Sequence, residues 1–76
     1  TMTTSEFNIL KDNVYKQYEI TLEKKPYLTQ GQIIYNILKE EFPGIVGRIK
    51  AKQIDPTEDD NNLIEFWNIL EKKLIV

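Results

Sequence analysis

Phe7, Leu10, Val14, Tyr18 and Leu22 recur every three or four positions and fall on one stripe, which predicts an amphipathic helix from Phe7 to Leu22. Ile9 and Tyr15 lie beside that stripe and widen it, while Lys11, Asp12, Lys16, Gln17 and Glu19 fill the solvated face. Thr4 or Ser5 is placed to cap the start. Lys24-Lys25-Pro26 ends the helix, because proline removes a backbone donor and pushes the preceding residue out of the helical region. A second start comes at Thr29, with Gln32 three positions on, the spacing of a reciprocal capping box. Ile33, Ile34, Ile37, Leu38 and Phe42 form the buried face of this helix, Lys39, Glu40 and Glu41 its exposed one, and Pro43 its stop. Gly31 in the first turn weakens the helix relative to alanine, so its presence predicts a close backbone approach by a neighbour.

Pro43 suits the first turn of a short third helix, in which Ile45, Val46 and Ile49 are buried and Arg48, Lys50 and Lys52 point outward. Gly44 and Gly47 make that helix weak in isolation. Gln53 to Asn62 is rich in Asp, Asn, Pro and Thr and reads as a loop, with an Asp55-Pro56 turn and Asp59 or Asp60 ready to cap a last helix. Leu63, Ile64, Phe66, Trp67, Ile69, Leu70 and Leu74 cover more than half the circumference of that helix. No alternating strand pattern of useful length, fixed-period repeat or low-complexity run interrupts this order. The pattern predicts an all-α fold, a small compact bundle of about four helices in a single domain spanning residues 1–76. Thr1 stands ahead of Met2 and reads as an addition before the natural initiator.

Composition narrows the chemistry. The 76 residues include no Cys and no His, so there is no disulfide framework, no thiolate nucleophile, no Cys zinc site and no imidazole base. The expectation is a non-enzymatic protein without metal or cofactor. The 10 Lys+Arg and 12 Asp+Glu are evenly spread, five basic and six acidic residues on each side of a cut after Phe42, which gives no global excess for binding phosphates. No stretch approaches the roughly 20 apolar residues of a membrane span, and residues 1–8 lack the basic start and apolar run of a signal peptide. A soluble, cytoplasmic protein with no membrane partner is expected.

Gly31-Gln32 opening a helix, Asn36-x-Leu38 one turn later, Pro43, Ile49, Asp55-Pro56, Asp59-Asp60 and Phe66 together resemble a family of short, stand-alone proteins encoded by phages and bacteria. The resemblance covers about half of the chain. Thr29-Gln30 stand where the family often has a basic residue before Gly-Gln, and Thr57 where an aromatic often follows Asp-Pro. The resemblance implies a helical fold and a phage or mobile-element setting; it brings no substrate, cofactor or catalytic residue.

Four groups of residues are candidates for a function. Gln32 and Asn36 are one turn apart, and with Asp55 they can form a polar network that either fixes the Asp-Pro loop or recognises a ligand. Asp55, Glu58, Asp59 and Asp60 lack the alternating ligands, central Gly and terminal Glu of a calcium loop and read as helix-capping acids. Arg48, Lys50 and Lys52 lie in an acid-free window from Ile45 to Ile54, a candidate phosphate contact for a weak nucleic-acid-associated oligomer. Phe66, Trp67, Leu70 and Leu74, on the broad apolar face of the last helix, are the candidate surface for a protein partner, unless the first helix covers them. The favoured function is a phage-related protein-protein interaction module that acts by docking; if the partner is a host or defence protein, inhibition follows from occupying its functional surface. A nucleic-acid partner is disfavoured, and a self-assembling structural part is the third reading.

Overall fold

Four helices form where the apolar periodicity and the proline stops require them. A computed structural model describes residues 2–75 and gives α1 (Thr4–Lys24), α2 (Gln30–Glu41), α3 (Pro43–Lys52) and α4 (Asn62–Ile75), with no strand among the described residues. The chain is thus an all-α bundle. α1 packs on α2 and α4, and α3 packs on the same two helices.

The helix ends obey local chemistry. α1 is capped by Thr3, not by Thr4 or Ser5: Thr3 Oγ1 accepts from the Glu6 N–H at 3.2 Å, and Glu6 Oε1 accepts from the Thr3 N–H at 3.0 Å. This reciprocal box satisfies two groups that the first turn would otherwise leave unpaired. Thr29 and Gln32 build the same box at α2, at 3.2 and 3.1 Å, as their spacing predicts. Phe42 alone joins α2 to α3. Its N–H donates to the Leu38 carbonyl, its own carbonyl accepts from the Val46 N–H, and Pro43 then occupies the first helical position, where its missing donor costs nothing.

Phe7, Val14, Ile34, Tyr35, Leu38, Val46, Ile49, Leu63, Phe66, Trp67 and Leu70 make one core, drawn from all four helices. Several expectations about the core change. Ile37, Phe42 and Ile45 are only partly covered, and Tyr35, outside the apolar face expected for α2, is buried, its ring meeting Phe66 at 6.4 Å and 64°. Ile9 is 61% exposed and so does not widen the buried stripe of α1. At the chain's extremities the Met2 N–H donates to the Leu74 carbonyl at 2.8 Å, tying the segment before α1 to the last turns of α4.

Candidate functional site

The apolar face of α4 is interior. Phe66 and Leu70 are fully buried, Trp67 is 4% exposed, and Leu74 is partly buried against the core. α1 supplies the cover: Phe7 meets Trp67 edge-on at 5.9 Å, Tyr15 stacks on it at 6.0 Å and 26°, and the Lys11 ammonium lies 5.3 Å from the ring centroid. Burial of a large apolar side chain is worth about 1.5 to 3 kcal/mol, so Leu63, Phe66, Trp67 and Leu70 together contribute about 6 to 12 kcal/mol. That is comparable with the entire net stability expected for a domain of this size, about 4 to 11 kcal/mol. The face cannot be vacated for a partner while the fold survives, and the expected docking surface of Phe66, Trp67, Leu70 and Leu74 is therefore corrected to core. The large hydrophobics left outside, Ile9, Ile20, Tyr27 and Ile64, are distributed over α1, the α1–α2 connection and α4.

Gln32, Asn36 and Asp55 do not converge on one network. Gln32 Oε1 is taken by the Thr29 N–H, and Asp55 Oδ1 accepts from both the N–H and the hydroxyl of Thr57. The loop is held to α2 by other groups. Pro56 is fully buried, Asp60 Oδ1 accepts the Gly31 N–H at 2.9 Å, and Asn62 Nδ2 donates to the Asp55 carbonyl at 3.0 Å. A Cβ on Gly31 would collide with the Pro56 carbonyl oxygen and come within 2.9 Å of its carbon, which is the close approach that this glycine implies. The Asp60 side chain consequently serves the first turn of α2. At the start of α4, Asp59 and Asp60 act through their backbone carbonyls, which accept from the Asn62 and Leu63 N–H groups at 3.0 and 3.1 Å, and Asp59 Oδ1 accepts from the Asn61 N–H just before the helix at 2.9 Å. Three of the four loop acids thus have structural partners. Among the described residues no group of three or more acidic, His or Cys side chains is arranged to hold a metal ion.

Electrostatics in the loop favours the ionised acid. Partial burial pushes the Asp55 carboxyl up, but the two hydrogen bonds from Thr57 and the nearby Lys50 charge outweigh it and leave the group below its ordinary value. At the start of α1, the backbone and hydroxyl hydrogen bonds of Thr3 likewise hold the Glu6 carboxyl low.

The three cations of α3 divide between its two sides. Arg48 and Lys50 are two positions apart, roughly 200° around a helix. Lys50 lies over the Tyr35 ring, 4.8 Å from its centroid, while Arg48 folds back along its own helix, with Nε donating to the Gly44 carbonyl at 3.3 Å. Lys52 is exposed one turn beyond Arg48. No continuous three-cation patch results.

Two acid-free grooves flank α3 instead. The first, about 390 Å³, is lined by Ile45 and Arg48 of α3 with Lys72 and Lys73 of α4. Three cations and one partly buried isoleucine leave it suited to an anionic group attached to something apolar, with the aliphatic stems of the lysines extending the greasy wall. The second, about 360 Å³, is lined by Leu28, Gln32, Tyr35, Asn36, Lys39, Lys50 and Thr57. It reunites Gln32 and Asn36, with Thr57 in place of Asp55. Neither groove is recognisable from spacing alone, because Lys72-Lys73 lie far along the chain from Arg48, and Thr57 is likewise distant from Lys39. The one hint in the sequence is the Lys72-Lys73 pair close to the end of the last helix, an arrangement that also serves the helix dipole.

No protein-family model, curated protein or solved structure matches the chain.

Proposed function

We propose that the chain is a small, non-enzymatic protein-protein interaction module that takes an acidic, apolar-flanked segment of its partner into the groove of Ile45, Arg48, Lys72 and Lys73. The observation that carries this reading is the lining of that groove, three cations around an isoleucine without a carboxylate. A guanidinium offers a carboxylate a planar pair of donors, and two ammonium groups draw further acids of the same segment toward the site. Charge complementarity of this kind sets partner choice and association rate, with the apolar contact slowing release. A naked phosphate backbone gains nothing from Ile45, and the separation of Lys50 from Arg48 breaks the run of cations that a nucleic acid would track. The resemblance to short phage and bacterial proteins supplies the setting: occupation of an acidic surface on a host or defence protein would block whatever that surface does.

Affinity capture from the native cell's lysate tests this, using the wild-type chain, an Arg48→Glu/Lys72→Glu variant and a Lys50→Glu variant, each with nuclease. One stoichiometric protein held by wild type and Lys50→Glu but lost from the double variant is the expected result. Recovery that survives the double reversal, or that vanishes with nuclease, overturns the reading. Light scattering at several concentrations distinguishes a second copy of the chain from a different partner.

A further inference from the structure

We infer that the second groove, between α2, α3 and the Asp-Pro loop, is a binding site for a small phosphate monoester. Gln32, Tyr35, Asn36 and Lys39 succeed one another at the spacing i, i+3, i+4 and i+7, so α2 turns a continuous strip of them toward the space that Lys50 and Thr57 close from the other side. Buried Tyr35 is the floor of the strip, and its ring faces the Lys50 ammonium.

The donors in this groove are directed by bonds already described. Because the Thr29 N–H occupies Gln32 Oε1, the group that the Gln32 amide has left to offer is its NH2. Asn36 is exposed and contributes a second amide. Lys39 and Lys50 bring two positive charges from two different helices. Asp55, whose carboxylate feels the Lys50 charge, is engaged by Thr57 and does not line the groove.

Two cations and two amides around a volume of this size match a tetrahedral dianion with several acceptor oxygens better than a single carboxylate, which would leave one ammonium uncompensated. The groove is also larger than an inorganic oxyanion needs and falls within the range of small-molecule sites. Leu28 at its edge provides an apolar wall for the organic part of an ester. A phosphate monoester meets all three conditions. This site is independent of the Arg48 groove, since the two share no lining residue.

The test is a titration of inorganic phosphate and of phenyl phosphate into the isotope-labelled chain, monitored by amide chemical shifts. Saturable shifts confined to Gln32, Asn36, Lys39, Lys50 and Thr57 are expected, with phenyl phosphate binding more tightly than inorganic phosphate. Lys39→Gln and Lys50→Gln should each weaken binding about tenfold or more. Lys39→Gln should leave the melting temperature little changed because its side chain is exposed, while Lys50→Gln, which gives up its place over the Tyr35 ring, should lower it modestly and still fold. Lys72→Gln should leave binding as it is. Affinity should also rise as pH passes about 6, where a phosphate monoester loses its second proton. Shifts spread over lysines all around the molecule, or Lys39→Gln and Lys50→Gln variants that bind like wild type, would overturn the assignment.

Discussion

The backbone N–H of Gly31 donates to the carboxylate of Asp60 across 29 positions of sequence, at 2.9 Å. One acid of the α3–α4 loop thereby completes the cap of α2, beside the contact between Gly31 and Pro56. Negative charge at a helix N-terminus is favourable, and loss of a capping acceptor costs about 0.5 to 2 kcal/mol. Asp60→Ala should lower the melting temperature by several degrees, at about 4 to 8 °C per kcal/mol for this length. Gly31→Ala should do more harm, about 2 to 4 kcal/mol, because the neighbour it strikes is backbone and cannot rotate away. A Gly31→Ala chain as stable as wild type in thermal and urea melts would contradict this packing.

Gly47 is the opposite case. It lies in the interior of α3 with negative φ, and a Cβ there would meet nothing within 4 Å. Gly47→Ala removes backbone freedom from the unfolded chain without a collision in the folded one, so stability should rise by about 0.5 to 1 kcal/mol. The urea midpoint should increase with an unchanged slope.

Acid should loosen the molecule in a defined direction. Asp55 and Glu6 are held below their ordinary values of 3.8 and 4.5, so each stabilises the fold when ionised. The contribution is complete above those ordinary values and is lost as pH falls through the depressed ones. Melting temperatures measured downward from neutral pH should stay level until the carboxylate range and then drop. Asp55→Asn should flatten part of the drop; an Asn variant with the wild-type profile would show that the Thr57 bonds do not favour the charged form.

Trp67 has a buried indole N–H without a hydrogen-bond partner. Its ring is nonetheless held by Phe7, Tyr15 and Lys11. Trp67→Ala should cost about 3 to 5 kcal/mol, enough to bring a domain of this size close to unfolding. Trp67→Phe keeps an aromatic body and deletes a donor whose desolvation is uncompensated, so its cost should stay below about 2 kcal/mol. Urea melts monitored by far-ultraviolet circular dichroism measure both, since either change removes the one tryptophan of the chain.

The helices are legible in the sequence because their signals are local: Thr29 with Gln32, Pro26 and Pro43, and the apolar spacing along α1 and α4 all act within one or two turns. Gly31 is legible for a different reason, since a glycine that weakens a first turn needs a tertiary explanation, and Pro56 provides it. The candidate site is not legible in this way. Seven apolar positions on α4 mark a wide greasy face, but whether α1 covers it depends on Phe7 and Tyr15 reaching Trp67 from the far end of the chain. The polar trio fails for a related reason. Asp55 has a partner two residues on, in Thr57, and that local bond displaces the longer-range one to Gln32 and Asn36.

The Met2–Leu74 hydrogen bond clips the segment before α1 to the last turn of α4. Loosening of either side removes a backbone partner from the other, so the lead-in to the first helix and the final turn of the fourth should lose their protection together in hydrogen exchange, as one cooperative unit.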